Sequence, residues 1–227
     1  MPYYNSILDI IGPEMIGPSS SHTAGAVRLG NLARSILNKK LKKVRISLYN
    51  SFAETGIGHG THKAIIAGLL GFSKSDERIK YADRIAKKLK IKVIIKKVIK
   101  PNDYLPNTAV IEMYSGKLKI EVVGASLGGG LVLVQEIDGF EVNITGDYET
   151  LIVTHKDKIG ILAEILKVIS FEKMNIVSIN SVRRNKIDDV TTLICFDNFI
   201  KTKIPKLLGH IEYISRIRVI HKMQENW

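Results

Sequence analysis

Apolar residues at Ala26, Val27, Leu29, Leu32, Ala33, Ile36 and Leu37 recur at roughly helical spacing, and the turn signal Gly17-Pro18 precedes them, so the chain predicts a first helix soon after residue 18. Lys43-Val-Arg-Ile-Ser-Leu-Tyr49 then alternates as a half-buried strand does. A helix is expected over Thr61 to Leu70, reached from a glycine-flanked His59, and a polar-faced helix over Asp76 to Leu89. Lys92 to Ile99 reads as a strand. Thr108 to Tyr114 and Leu118 to Val123 read as a hairpin turning at Ser115-Gly116. Gly124-Ala-Ser-Leu-Gly-Gly-Gly130 is expected to interrupt the strand pattern before Leu131 to Glu136 and Phe140 to Thr145. This is an α+β region, a mixed sheet with helices, assigned to residues 1–147.

From Tyr148 the pattern changes. Leu151 to Thr154 is a strand, Asp157-Lys-Ile-Gly160 a turn, and Ile161 to Phe171 an amphipathic helix. Strands at Ile176 to Arg183 and Val190 to Phe196, a short helix at Ile204 to His210 and a strand at Ile214 to Ile220 complete a βαββαβ order over residues 148–227, the ferredoxin-like unit. The turn, the helix and the strand approach Met174-Asn-Ile176 resemble an ACT domain, a small regulatory module that binds amino acids and pairs its sheet with another copy. That resemblance implies a regulatory ligand at Gly160, Asn175 and Ile176 and self-association. A purely structural, dimer-forming ACT domain fits the same pattern.

Charge changes the picture little. The 34 Lys and Arg against 22 Asp and Glu give a formal net charge of +12, which raises the question of a nucleic-acid partner. The lysines, however, alternate with Ile and Val in Ile91 to Lys100 and end helices at Lys39-Lys40 and Lys87-Lys88, without interleaved aromatics for base stacking. They read as a solvated face, or as a basic interface for an acidic partner chain, and no nucleic acid is expected. No apolar run approaches the about 18 residues that span a bilayer, and the start of the chain lacks a basic segment followed by an apolar one, so no membrane is expected and the cytoplasm is the default. Cys195 is the only cysteine and excludes an intrachain disulfide; in its strand it reads as a core thiol.

The chemistry concentrates in Ile16-Gly-Pro-Ser-Ser-Ser-His-Thr23. Ser19, Ser20 and Ser21 are N-cap residue types placed where a helix begins, and unpaired N–H groups there favour an anion, a small carboxylate or phosphate. His22 and Thr23 follow. His59, in Gly56-Ile-Gly-His-Gly-Thr61, has glycines on both sides and an ordinary pKa near working pH, suited to acid, base or donor roles. Asn107 and Thr108 follow Pro106, which biases Leu105 toward extended backbone. Ser126-Leu-Gly-Gly-Gly130 offers backbone N–H groups for an anion nest, or a tight sheet corner.

Asp9 to Gly25, Ser51-Phe-Ala-Glu-Thr55 with Gly58-His-Gly-Thr61, Pro106-Asn-Thr108 and Ser126-Leu-Gly-Gly-Gly130 fall in the order found in the beta chain of the bacterial iron-sulfur-dependent L-serine dehydratases, which nearly the whole chain resembles. The resemblance implies conversion of L-serine to pyruvate and ammonia together with an alpha chain that carries a 4Fe-4S cluster; one cysteine here cannot supply the four thiolates such a cluster takes. It implies His22 and His59 as catalytic residues and Ser19, Ser20, Ser21, Thr23, Asn107, Thr108 and Ser126 as substrate contacts, with no metal ligand in this chain. Two positions depart from the family pattern: His62 stands where an aspartate is usual, and Leu105 where a histidine precedes the proline. The competing reading is a non-catalytic regulatory subunit that binds a small anion and an amino acid. A serine hydrolase is disfavoured, because no Gly-x-Ser-x-Gly elbow occurs.

Overall fold

The computed structural model describes residues 15–100, 102–183 and 189–223. The chain divides into two compact units, one up to Gly139 and one from Phe140. The first sheet has the strand order β2-β1-β3-β4-β5-β6, from β1 (Lys43–Tyr49), β2 (Lys92–Val98), β3 (Thr108–Ser115), β4 (Leu118–Gly128), β5 (Leu131–Ile137) and β6 (Phe140–Ile144). β1 and β2 pair in parallel, which requires a crossover; the register sets Ile46 beside Ile95 and, on the other side, beside Ile111 of antiparallel β3. The crossover is helical: α1 (Ala26–Leu37) precedes β1, and α2 (Asn50–Glu54), α3 (Thr61–Leu70) and α4 (Ala82–Lys88) lie between β1 and β2.

Alternation explains the core. Val44, Ile46 and Leu48 are buried while the residues between them are not, and Ala109, Ile111 and Met113 continue that apolar face on β3. Leu29 and Leu32 of α1 and Ile65 of α3 are fully buried. Lys92, Lys96 and Lys97 are exposed on β2, an edge strand, where charge hinders pairing with other chains.

Three expectations need correction. Gly124 does not end a strand: β4 runs on to Gly128, with register shifts at Val123/Gly124 and Ser126/Gly128. The glycine is there because a Cβ would lie 2.5 Å from Leu29 Cδ1, so its role is close approach of α1 to the sheet. The helix expected from Asp76 opens as a 3₁₀ turn, Glu77–Tyr81, because Asp76 caps Arg78 N–H and also grips the Arg78 guanidinium at 2.6 Å. The short helix α2 lies in a segment where no helix was expected; at five residues it is too brief to show a period.

The second unit carries β7 (Glu149–Lys156), α5 (Ile161–Phe171), β8 (Ser178–Arg183), β9 (Asp189–Phe196), α6 (Lys203–Leu208) and β10 (Ile214–Ile220). Strand order β10-β7-β9-β8, with every pairing antiparallel, is the ferredoxin-like arrangement read from the sequence. Leu151 and Val153 of β7, Ile194 and Phe196 of β9, Ile161, Ile165 and Ile169 of α5 and Ile204 and Leu208 of α6 form its core. Among the described residues no helix is long and apolar enough to cross a membrane.

Candidate active site

The first motif forms a helix start by local means. Gly17 takes a φ of 128°, and Ser19 is extended, with its Oγ accepting the His22 backbone N–H at 3.0 Å. Ser20–Gly25 is a π-helical turn that leads directly into α1, a rare geometry that tends to mark functional positions. Ser20 and Ser21 are half-buried, and Thr23 is buried.

The His22 ring leaves this turn and meets the second motif. Its Nε2 lies 3.0 Å from Thr55 Oγ1 and 3.4 Å from Ser51 Oγ, and its Nδ1 lies 3.5 Å from Ser19 Oγ. Phe52, fully buried, meets the ring edge to face at 5.2 Å, and the His59 ring lies 5.0 Å away on the other side. Burial of the ring holds the His22 pKa below its ordinary value; the Ser51 backbone acceptor opposes this, and the His59 charge adds to it. His59 is exposed, and its Nδ1 sits 3.0 Å from the Thr55 carbonyl.

The third and fourth motifs close the ring. Ser51 N–H donates to the Pro106 carbonyl at 2.9 Å. Ser126 N–H donates to the Asn107 carbonyl at 3.0 Å, and Asn107 Nδ2 returns a bond to the Ser126 carbonyl at 3.3 Å. Ser126 then touches the helix start: a Cβ on Gly25 would lie 2.0 Å from Ser126 Oγ, so only glycine lets this strand approach the turn. All four motifs, spread from Ser19 to Ser126, therefore meet.

The polar atoms divide into those with a partner and those without. Thr108 Oγ1 donates to the Leu105 carbonyl at 2.9 Å, and Thr108 is fully buried. Among the described residues, Thr23 Oγ1, Ser126 Oγ and Asn107 Oδ1 are buried without a hydrogen-bond partner. Buried polar groups are ordinarily paired, and these two hydroxyls and one amide oxygen fall in three of the four convergent motifs; Thr61 Oγ1 and His62 Nδ1 on α3 are likewise without a partner. Because Asn107 Nδ2 faces the Ser126 carbonyl, its Oδ1 is the free acceptor.

Sequence reasoning did not single out Asn50, Ser51 and Thr55 as site residues. Ser51 of α2 and Thr55, the residue that caps its C-terminus, are an i, i+4 hydroxyl pair, a spacing that was visible. Asn50 has a φ of 49°, and its amide donates to the Tyr104 and Leu105 carbonyls at 2.8 and 3.2 Å, fixing the loop before Pro106. Leu105 contributes that carbonyl and no proton chemistry. His62 lies half-buried on α3; burial lowers its pKa, Lys63 adds to this and Asp83 opposes it.

Among the described residues no group of three or more His, Cys, Asp or Glu side chains could hold a metal ion. With Cys195 the only cysteine in the chain, the donor set here does not fit a cluster that takes four thiolates. In the second unit, Gly160 starts α5 with a φ of 87° and no side-chain cap. Asn175 and Ile176 line a cavity of about 400 Å³ with Leu166, Ile169, Lys173 and Met174; Gly160 is not among its lining residues.

Residues 6–136 match the family model described as serine dehydratase beta chain. The probable L-serine dehydratase, beta chain, of Bacillus subtilis is 42% identical over 80% of this chain and 82% of that protein. The L-serine dehydratase, beta chain, of Peptoniphilus asaccharolyticus is 34% identical over 83% of this chain and 85% of that one. The solution structure of the ACT domain from the GTP pyrophosphokinase of Chlorobium tepidum aligns with 34% of this chain and 90% of its own, at 17% identity and a TM-score of 0.28.

Proposed function

Because the chain belongs to the serine dehydratase beta chain family, we propose that the four convergent motifs form the wall on which L-serine is bound and loses its α-proton in an α,β-elimination completed by an alpha subunit. The chain is the beta subunit of an L-serine dehydratase. The observation that carries the proposal is the set of unpartnered buried atoms around the π-helical turn: Thr23 Oγ1, Ser126 Oγ and Asn107 Oδ1.

The substrate carboxylate takes the hydroxyl donors of Thr23 and Ser126 with those of Ser19, Ser20 and Ser21 at the positive end of the helix, and its ammonium takes Asn107 Oδ1. His22, kept neutral by burial, holds the hydroxyl array in place through Thr55 Oγ1 and Ser19 Oγ. His59 Nδ1 must be the protonated nitrogen, since a carbonyl only accepts, so Nε2 of neutral His59 carries a lone pair and takes the α-proton. A 4Fe-4S cluster would have to be held by cysteines of the alpha chain, and when bound it would supply Lewis-acid assistance to the leaving hydroxyl. Elimination gives an aminoacrylate, which becomes an imine and hydrolyses to pyruvate and ammonia.

The test is pyruvate formation by the purified chain, by the alpha chain and by the two reconstituted without oxygen. Activity in the pair alone supports the reading. Serine turnover by this chain alone refutes the two-subunit scheme, and an alpha chain with full activity by itself leaves this chain the regulatory subunit. We assign residues 148–227 to an ACT domain that self-associates through β8, exposed along most of its length at the sheet edge. Its amino-acid ligand is placed at Gly160, Asn175 and Ile176. Sedimentation of the isolated 148–227 fragment with and without L-serine tests this, a monomer in both conditions refuting the pairing.

A further inference from the structure

Thr55 is bonded to both histidines of the site through different atoms. Its hydroxyl lies 3.0 Å from His22 Nε2, and its carbonyl lies 3.0 Å from His59 Nδ1. The hydroxyl also lies 3.0 Å from the Ser51 carbonyl, one helical turn back. A hydroxyl has one hydrogen, so two assignments compete. If Thr55 donates to His22 Nε2, the imidazole proton sits on Nδ1, which faces Ser19 Oγ at 3.5 Å, a long and weak contact. If Thr55 donates to the Ser51 carbonyl, His22 Nε2–H donates to Thr55 Oγ1, and both bonds are made at 3.0 Å. The second arrangement satisfies more at better distance. Ser51 Oγ, 3.4 Å from Nε2, stands on the same side.

We infer that Thr55 is a positioning residue that sets the tautomers of both histidines, holding His22 in the Nε2–H form through its side chain and His59 in the Nδ1–H form through its carbonyl. Opposite tautomers follow from one residue. His22 presents a lone pair on Nδ1, toward Ser19 Oγ, and His59 presents one on Nε2. With the rings 5.0 Å apart, the His59 charge disfavours a second proton on His22, so the complementary tautomers leave the His59 Nε2 lone pair as the proton acceptor. The orienting hydrogen bond of a catalytic imidazole often decides its tautomer in this way. Loss of the hydroxyl affects His22 and leaves the carbonyl bond to His59 in place, so the two rings serve as test and control in a single variant.

The inference rests on the active-site reading only for its kinetic arm. Long-range ¹H–¹⁵N spectra of the full-length chain give each histidine's tautomer directly. The wild-type chain and Thr55→Ser are expected to show His22 as Nε2–H and His59 as Nδ1–H. Thr55→Val, of similar shape, is expected to shift His22 to a mixture of tautomers and leave the His59 pattern unchanged. In the reconstituted enzyme Thr55→Val should lower kcat by about tenfold to a hundredfold, a part of the 10² to 10⁴ lost with a whole acid-base group, while Thr55→Ser restores it to within about threefold of wild type. Wild-type His22 in the Nδ1–H form, or a Thr55→Val spectrum identical to wild type, overturns the inference. A wild-type pair without serine turnover refutes the active-site reading, while the spectra still decide the tautomers.

Discussion

The helix starts at residues 19 and 160 each follow a turn that contains glycine, and they differ. At residue 19 the start is polar and closed: Ser19 caps the His22 N–H, the turn is π-helical, and Ser126 of β4 rests on Gly25. At residue 160 it is open: Gly160 offers no side chain to cap α5, and Ile159 before it is fully exposed. Both present unpaired N–H groups. Only the first has strands and histidines brought against it by sequence-distant motifs, so a helix terminus becomes a chemical site when buried, unpartnered side chains converge on it.

The contrast can be broken hardest at the histidines. His22→Asn and His59→Asn are each expected to lower kcat of the reconstituted enzyme by about 10² to 10⁴, with His210→Asn in the second unit as a control without effect; stopped-time pyruvate assays measure it. Next is Gly25→Ala, which sets a Cβ 2.0 Å from Ser126 Oγ. The strand or the turn must shift, costing about 1 to 3 kcal/mol in urea unfolding and raising KM more than it lowers kcat. Gly160→Ala, with nothing near the added Cβ, should cost about 1 kcal/mol from its left-handed backbone and leave both kinetic constants unchanged. Ser19→Ala removes the cap and is expected to cost about 1 kcal/mol as well, but here with a rise in KM. Equal kinetic behaviour of the two variants would erase the distinction between the two helix starts.

The smallest effect is in pH. Burial lowers the folded-state pKa of His22 below its ordinary value of 6.5, so between the two values the unfolded chain binds the extra proton. The His22 contribution to stability is therefore complete above about pH 6.5 and is lost as pH falls through the lowered folded value. Urea midpoints measured from pH 8 to 5 should fall less steeply in His22→Gln than in wild type.

Much of this was legible in the sequence. The βαββαβ order and the helices over Thr61–Leu70 and Ile161–Phe171 matched because they are long enough to show a period or are bounded by glycine. Gly124 misled because glycine signals both a loop and a close approach, and only the position of Leu29 distinguishes them. The motif residues His22, Asn107 and Ser126 were identifiable by type, but their union depends on bonds such as Ser51 N–H to the Pro106 carbonyl, which join backbone and leave no mark in side-chain pattern. Asn50 was hidden for a related reason: its left-handed φ belongs to the fold, not to the residue.

The circuit from Ser19 through Ser51 and Pro106 to Ser126 also has a temporal meaning. Its members are separated by most of the first unit, and the links at Pro106 and Asn107 require β1, β3 and β4 to be brought together, the kind of long-range closure that slows folding. On the ribosome the serine-histidine segment emerges early and must remain without its partners until residue 126 has been made. Binding competence thus follows the middle of the sheet, and a chain able to hold substrate has already paired β1, β3 and β4.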